Sequence, residues 1–418
     1  MILDSVYYIR RHLYLEKLRR SLGNGKIKVL TGMRGCGKSY VLCVDFCREL
    51  AGRGFRVVNL EHEERLRSYP SADLLERHLR ESCSTPGPLA VLLDHYDQIS
   101  SPCAEEPSSL DRLLVQAAVQ RQAEVFLTLS CEAGRDGCYL EHLCEPQLIC
   151  FYPLAFSELL GSGRGRPQQL WESYLEWGGL PGLLGKAGRL DPQRFLLRKL
   201  DDALSRIEAG GHVQSRERLN GTLVQIARNL GRATSPYELR NGTPLKSSSM
   251  VGKYLHLLEE GFLLTKLPRL DRRQVELSHT TTFYFGDIGL LKAALQFTAQ
   301  PEALLQRHAL LLELLCRDYK VYTAQSHTHE IDGRGVKIRK VHTIDFFCLR
   351  GSEEPLALQC AFAATQDGLG ELHLALRKLK CQASRLMLLP GDEPPHTDER
   401  GIVSMGLFTF IKQLKLPD

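Results

Sequence analysis

One eight-residue segment, 32–39 (GMRGCGKS), constrains the fold most, because it matches the pattern G-x-x-x-x-G-K-[ST] in full. An apolar run at 26–31 precedes it, and an apolar helical pattern from Lys38 to about Leu50 follows it. Glycines let the backbone curl so that several N–H groups point at one anion, and the N-terminus of the following helix adds about half a positive charge. The segment therefore predicts a phosphate-binding loop between a buried strand and a helix, with a purely structural glycine turn as the alternative.

The polar residues of this loop suit a nucleoside triphosphate with magnesium. Lys38 would reach the β- and γ-phosphates, and the hydroxyl of Ser39 would hold Mg²⁺. The sequence thus predicts ATP, or another nucleoside triphosphate, as the ligand together with Mg²⁺. The predicted nucleotide-contacting residues are Gly32, Met33, Arg34, Gly35, Cys36, Gly37, Lys38, Ser39 and Tyr40.

A magnesium site of this kind needs a second protein group, an acid at the end of a neighbouring strand. Residues 89–93 (LAVLL) form an apolar run, and Asp94 follows it directly. An aspartate in that place can simply end a strand. Together with Ser39, however, Asp94 is predicted to hold the metal.

The sequence contains fewer candidate residues for ATP hydrolysis than for ATP binding. Many ATPases place a glutamate directly after the magnesium aspartate to polarise the attacking water. Here His95 occupies that position. It is a candidate base or, alternatively, an exposed surface residue. Asp97 is a second candidate, which would reach the site only if the chain turns there.

Length and periodicity predict several domains, since 418 residues are too many for one compact core. Apolar strands alternate with helices over 1–160, which predicts an α/β fold with a parallel sheet covered on both faces. A glycine-rich stretch then opens a helical segment, 161–215. Three short helices and two β-like runs over 216–280 outline a winged helix. Residues 281–418 are predicted to form a separate α/β domain.

Several short motifs extend the pattern beyond the phosphate loop. In chain order they are Tyr14–Leu18, Asn59–Glu63, Leu92–Asp94, Leu127–Ser130, Tyr152–Glu158, Gly178–Pro181, Tyr284–Leu290 and Ile344–Phe346. With these motifs the chain resembles the prokaryotic AAA-type ATP-binding proteins that carry a C-terminal domain of unknown function. The resemblance implies a P-loop ATPase core, a helical lid, a winged helix and a restriction-endonuclease-like terminal fold. It also implies a DNA-linked or toxin–antitoxin-like role.

The chain departs from that family at three places around the reaction centre. His95 replaces the usual glutamate, Ser130-Cys131 replaces a Gly-Ser-Asn type run at the tip of the sensor strand, and Glu145-Pro146 replaces a Gly-Arg pair. We therefore expect a slow ATPase that acts as a nucleotide-dependent switch, with His95, Asp97 and Ser130 as candidate catalytic residues and Glu61 or Glu63 nearby. The alternative is a DNA- or partner-binding scaffold that uses ATP only as a structural ligand.

The predicted winged helix and terminal domain are compatible with DNA binding but do not require it. In a winged helix that binds DNA, the third helix enters the major groove, and Arg240, Lys246 and Lys253 could contact phosphates. Packing against the ATPase or against a protein partner is an equally open use. In the terminal domain, a nuclease would need an acid-x-Lys triplet after Asp345, whereas the sequence supplies Gln359 and Ala361. We expect that site to be inert.

Composition and charge set the remaining expectations. The net charge of +5 permits nucleic-acid contact without arguing for it. Thirteen cysteines, without a CxxC pair, suggest reduced thiols in a reducing compartment. The apolar runs fall short of the roughly 20 residues that cross a bilayer. We therefore expect a cytoplasmic protein with no membrane partner.

Overall fold

The computed structural model describes residues 8–61, 71–98, 107–129, 143–163, 165–184, 191–210, 213, 215–271, 275–331 and 337–414. In these ranges no helix is both long enough and apolar enough to cross a membrane.

The N-terminal part is a five-stranded parallel sheet with the order β2-β3-β4-β1-β5. Its strands are β1 (Lys28–Gly32), β2 (Arg56–Leu60), β3 (Leu89–Leu93), β4 (Glu124–Thr128) and β5 (Gln147–Phe151). Every residue of β1 and β3 is buried. A strand buried on both faces is mostly apolar, as β3 is along its whole length. In β1 the buried Lys28 and Thr31 are exceptions, and Lys28 pairs with Glu124. The predicted parallel α/β sheet is confirmed.

Helices cover both faces of this sheet. They are α1 (His12–Arg20), α2 (Lys38–Tyr40), a π-helical stretch (Val41–Phe46), α3 (Cys47–Gly52), α4 (Ala72–Ser84), α5 (Ser109–Val119) and α6 (Phe156–Leu160). Consecutive strand residues point to opposite faces. Val29 accordingly joins one buried cluster with α4 and α5, and Leu30 joins the other with α1 and the π-helical stretch. The second cluster continues into the rest of the chain.

The middle of the chain is helical and ends in a small antiparallel sheet. Helices α7 (Pro167–Trp177), α8 (Pro181–Leu184) and α9 (Pro192–Gly210) come first. The next elements are α10 (Arg216–Arg228), β6 (Ala233–Thr234), α11 (Pro236–Arg240), α12 (Ser248–Glu260), β7 (Leu264–Leu270) and β8 (Glu276–Phe285). Ser235 and Glu238 form a capping box at the start of α11, with Pro236 at its first position.

The last part adds six strands and four helices in the ranges that the structure describes. They are α13 (Ile288–Ala294), α14 (Glu302–Cys316), β9 (Lys320–Ile331), β10 (Lys337–Leu349), β11 (Leu356–Cys360), α15 (Gln366–Arg377), β12 (Ser384–Leu389), β13 (His396–Thr397), β14 (Val403–Gly406) and α16 (Leu407–Gln413). β9 also pairs with β7 at Arg269↔Thr323. The small sheet of β6, β7 and β8 and the sheet of β9–β14 thereby join into one nine-stranded sheet. Its order is β13-β14-β12-β11-β10-β9-β7-β8-β6.

Two features of this part bear on the predicted division into separate domains. The boundary expected at residue 280 falls inside β8. One buried cluster also runs from Leu15 and Phe46 in the N-terminal part through Leu196 to Leu311 in α14. The phosphate loop and the terminal segment therefore share a core.

Candidate nucleotide-binding site

The loop after β1 has a backbone that only glycine can supply at its first position. Gly32 has φ +136°, and a Cβ atom there would lie 2.1 Å from the carbonyl oxygen of Phe151 on the neighbouring strand. Gly37, with φ +102°, precedes the first residue of helix α2. Between these two glycines the chain curls and enters the helix at Lys38, as the motif predicts.

Lys38 is buried, and its ammonium group lies over this curl. Nζ donates to the carbonyl oxygen of Gly32 at 2.6 Å and to that of Met33 at 3.2 Å. The charge therefore sits where an anion held by the loop amides would need neutralising. Ser39 follows in the same helical turn.

The helix behind the loop is fixed to the sheet by an asparagine. Over Val41–Phe46 the helix is π-helical, a form that leaves backbone groups out of register with the α-helical pattern. The side-chain amide of Asn59, on β2, donates to the carbonyl oxygen of Cys43 at 2.8 Å. Burial raises the pKa of the Cys43 thiol, and the nearby carboxylates of Asp94 and Glu61 raise it further.

Asp94 directly follows β3 and is held in a defined orientation. The hydroxyl of Thr128, at the end of β4, donates to Asp94 Oδ1 at 2.6 Å and accepts from the backbone N–H of His95 at 2.9 Å. The carboxylate is buried. Ser130, which the sequence predicts as the polar tip after β4, lies outside the described residues, and Thr128 was not predicted as a site residue.

The chain turns sharply after Asp94. His95 has φ +52°, its side chain is 23% exposed, and Nε2 lies 3.9 Å from Asp94 Oδ2. Asp97 lies in a 3₁₀ turn, Tyr96–Gln98, which Tyr96 anchors by donating to Asp111 Oδ1 at 2.7 Å. His95 thus contacts the acid rather than projecting fully into solvent. Glu61 is exposed, and Glu63 lies outside the described residues.

Arg11 contacts the loop but lies outside the sequence motifs that predict the site. It is buried just before α1, and Nη1 donates to the carbonyl oxygen of Cys36 inside the loop at 2.5 Å. Nε donates to Glu158 at 2.9 and 3.1 Å, and Nη2 donates to the carbonyl oxygen of Tyr152 at 2.9 Å. A buried arginine requires an acidic partner. Glu158, the last residue of the 152–158 motif, was the available signal.

A second buried pair continues from this arginine cluster into α14. The backbone N–H of Ser157 donates to Glu313 Oε1 at 2.6 Å, and Arg317 Nη2 donates to Ser157 Oγ at 3.0 Å. Glu313 and Arg317 also pair with each other. Buried polar contacts therefore run from the loop carbonyl at Cys36, through Arg11 and α6, to α14.

Helix α9 approaches the loop from the other side. Lys199 Nζ lies 3.8 Å from the place where a Cβ atom of Gly35 would stand. A cavity of about 90 Å³ lies there, and its charged lining residues are Arg34, Lys199, Asp202, Arg206 and Glu260. Ligand pockets usually measure about 300–1,000 Å³. The cavity is smaller than that, and residues of α9 form one of its walls.

Asp345, the residue that the sequence comparison with nucleases singled out, pairs with an arginine in the structure. Asp345 Oδ2 accepts from the backbone N–H of Cys360 at 2.8 Å, and Arg307 Nε lies 3.5 Å from Asp345 Oδ1. Burial raises the pKa of Asp345, and the Arg307 cation opposes that rise. Gln359 accepts from the backbone N–H of Asp345 at 3.4 Å. Among the described residues, no group of three or more His, Cys, Asp or Glu side chains could hold a metal ion.

The residues predicted for DNA contact lie around α12. Lys246 and Lys253 are exposed, and the guanidinium of Arg240 stacks on the ring of Tyr237 at 4.9 Å. The opposite face of α12, with Val251, is buried.

Comparisons with known proteins give limited similarity. A family model described as a domain of unknown function (DUF8612) matches residues 168–301, which is less than half of the chain. An uncharacterized protein of Haemophilus influenzae is 24% identical over 383 residues, covering 86% of this chain and 88% of its own length.

Solved structures with similarity include the AMPPCP-bound DnaA from Aquifex aeolicus, with 15% identity, a TM-score of 0.32 and coverage of 62% of this chain and 93% of that one. Cdc6p from Pyrobaculum aerophilum has 15% identity, a TM-score of 0.29 and coverage of 73% of this chain and 97% of that one. Overlaps this weak do not assign a function.

Proposed function

We propose that this chain is an AAA-type ATP-binding protein, a slow ATPase whose nucleotide state acts as a switch on DNA or on a protein partner. The observation that carries the proposal is the curled backbone between Gly32 and Gly37, which leads into a helix beginning at Lys38. A loop of this form directs backbone N–H groups at a phosphate group.

The side chains around the loop suit ATP with magnesium. Lys38 would neutralise the β- and γ-phosphates, and the oxygen donors for Mg²⁺ would be Ser39 and Asp94. Mg²⁺ prefers oxygen ligands and usually keeps several waters, so one hydroxyl, one carboxylate and the phosphates form a sufficient set. The hydrogen bond from Thr128 orients Asp94 for this role.

Slow turnover is proposed from the groups that follow Asp94. A glutamate after the aspartate would act as a general base on water. His95 stands there instead, in a left-handed conformation with Nε2 3.9 Å from the Asp94 carboxylate. Nε2 of His95 faces Asp94 and its Nδ1 is buried, so the ring is badly placed to take a proton from an attacking water. Asp97 and Ser130 remain the other proposed catalytic candidates.

The switch is proposed from the buried contacts that link the loop to the terminal segment. A phosphate at the loop would change the surroundings of the Cys36 carbonyl, to which Arg11 donates. Arg11 in turn pairs with Glu158, on the helix whose Ser157 contacts Glu313 and Arg317. A rearrangement at the loop would therefore change the contacts of α14.

We propose the remaining modules as a helical lid (161–215), a winged helix (216–280) and a degenerate restriction-endonuclease-like domain (281–418). Three helices followed by an antiparallel sheet with the order β7-β8-β6 support the second assignment. The order α14-β9-β10-β11-α15-β12 supports the third. Its nuclease activity is proposed to be lost, because Arg307 faces Asp345 where a metal would be needed.

Titration calorimetry with MgATP tests the binding. Lys38→Ala should raise the dissociation constant at least tenfold, because the loop loses the cation that neutralises the phosphates. Lys26→Ala serves as a control, since Lys26 pairs at the surface with Glu145. Absence of ATP and GTP binding by the unaltered protein would overturn the proposal.

Product release measured over hours tests the turnover. We expect ADP to form well below the lower end of ordinary enzyme rates, about 1 per second. Turnover at about 1–10 per second, abolished by Lys38→Ala, would contradict a slow ATPase. Bound ATP without any ADP would favour the alternative, a scaffold that uses ATP as a structural ligand.

A further inference from the structure

Strands β9 and β10 form a two-stranded arm that extends past its neighbours. Their pairing runs from Leu349↔Lys320 outward to Lys337↔Ile331. β11 pairs with β10 only at residues 346–348, and β7 pairs with β9 only at Thr323. The outer half of the arm, 325–331 with 337–343, is about 20 Å long at roughly 3.3 Å per residue.

The two faces of this arm differ in their surroundings. On the inner face, Ser326 donates to the carbonyl oxygen of Ala375 in α15 at 2.8 Å. Lys340, on the same face, lies 2.8 Å from Glu371 in α15 and 3.4 Å from Glu330. The inner face thus contacts α15 at Ser326 and Lys340, and its lysine lies between two carboxylates.

The outer face is defined here by three cross-strand pairs, Lys337↔Ile331, Arg339↔His329 and Val341↔His327. Directly opposed residues share a face of the sheet. Ile331 is 76% exposed and Val341 49% exposed, and Lys337, Arg339 and His329 are also exposed. Arg339 Nη2 lies 2.7 Å from His327 Nε2. This face carries two fixed cations and two imidazoles, and none of its six side chains is acidic.

We propose that the outer face of this arm binds the phosphate backbone of duplex DNA. The cations repeat at every second residue of one strand, roughly 7 Å apart, which places two positive charges in a row. A polyanion with regularly spaced charges is the complement of such a row, and phosphate contacts supply most of the affinity in non-specific DNA binding.

The side chains of the face favour a duplex over a single strand. Proteins that hold single strands stack the bases on aromatic rings. The outer face has no Phe, Tyr or Trp among its six residues. An extended face about 20 Å long instead matches roughly six base-pair steps of about 3.4 Å along one strand of a duplex. The face would therefore position the protein on DNA without reading its sequence.

Fluorescence anisotropy of the full chain with a labelled duplex tests the proposal. The double variant Lys337→Gln/Arg339→Gln should weaken binding at least tenfold at low salt. The slope of log affinity against log salt concentration should also become shallower by about 1.8, since each lost phosphate contact removes about 0.9. The charge-retaining variant Lys337→Arg/Arg339→Lys should bind nearly as the unaltered protein does, which separates loss of charge from loss of folding.

Lys340→Gln is the matched control, because this lysine lies on the same arm but faces Glu371 and Glu330. It should change the affinity by less than twofold. Unchanged binding in the double variant, an equal loss in the Lys340 control, or a tenfold preference for single-stranded DNA would each overturn the proposal. Repeating the titration without nucleotide and in Lys38→Ala keeps this test separate from the proposed ATP function, because the arm does not depend on the phosphate loop.

Discussion

Arg11 Nη1 donates to the carbonyl oxygen of Cys36 at 2.5 Å, so that a buried cation from the N-terminal segment holds the phosphate loop from behind. The same guanidinium pairs with the buried carboxylate of Glu158. Burial alone would lower the pKa of Arg11, but the charges and hydrogen bonds around it, with Glu158 the largest of them, together raise that pKa. The loop is therefore tied to α6 as well as to the strand before it.

Replacing Arg11 should be costly, since Glu158 would remain buried without its partner. We expect Arg11→Ala to lower the free energy of unfolding by about 3–5 kcal/mol and to weaken ATP binding. Arg20→Ala is the control, because Arg20 pairs with Glu16 at the surface and such pairs contribute about 0–1 kcal/mol. Urea unfolding measures both. Equal effects of the two substitutions would show that Arg11 has no special role.

Gly32→Ala should disable the loop through a backbone clash. The added methyl group would lie 2.1 Å from the carbonyl oxygen of Phe151, at φ +136°. Gly23→Ala is a matched control, because Gly23 also has a positive φ, +77°, but has nothing within 4 Å of the new atom. The control should cost about 1 kcal/mol of strain and leave ATP binding intact. Normal ATP affinity in Gly32→Ala would contradict the loop geometry.

Much of this site could be predicted from the sequence. The features that could not be predicted were hidden for different physical reasons. The loop and β3 were predictable because a local motif and fully apolar runs define them. Arg11 was not, since its partner Glu158 lies 147 positions away in the chain. The outer half of β9 and β10 could not be predicted either. Exposed polar residues on that arm provide no apolar alternation to mark a strand.

Thr128 should control the response to magnesium. Thr128→Val keeps the shape but removes the hydroxyl that donates to Asp94 Oδ1, leaving a buried carboxylate short of one hydrogen bond. We expect a loss of about 1–3 kcal/mol in the free energy of unfolding. We also expect a higher Mg²⁺ concentration to be needed for half-maximal ATP binding. Thr128→Ser retains the hydroxyl and should behave normally. An unchanged Mg²⁺ requirement in Thr128→Val would show that Asp94 does not hold the metal.

His308 should make the protein less stable in mild acid. Burial lowers the pKa of His308 from 6.5 to about 4, while its bond to the carbonyl oxygen of Phe285 opposes this shift. Between these two pH values the unfolded chain binds the proton and the folded chain does not. The contribution of the neutral His308 to the free energy of unfolding is therefore fully present above pH 6.5 and is lost as the pH drops toward 4.

The comparison with His308→Gln isolates this contribution, since glutamine can still donate to Phe285. The difference in unfolding free energy between the two proteins should change by on the order of 3 kcal/mol across the window, in favour of the variant at low pH. Asp287 acts in the opposite direction, because burial raises its pKa to about 6. That effect is common to both proteins and cancels. A difference that does not vary with pH would contradict a neutral buried His308.

If the nucleotide state reaches the terminal segment, hydrogen exchange should report it at α14. Ser157 N–H donates to Glu313, and Arg317 donates back to Ser157 Oγ at 3.0 Å, so a shift of α6 would move groups in the last turn of α14 and directly after it. We expect MgATP to change amide exchange in 302–316 at least threefold. Arg11→Lys should reduce this change, because lysine cannot bridge Glu158 and the loop carbonyl at once. Helix α4 (72–84) packs on the opposite face of the sheet and serves as the internal control. A response confined to the loop and its own helix would mean that ATP binding is local, and that the terminal segment takes no part in a switch.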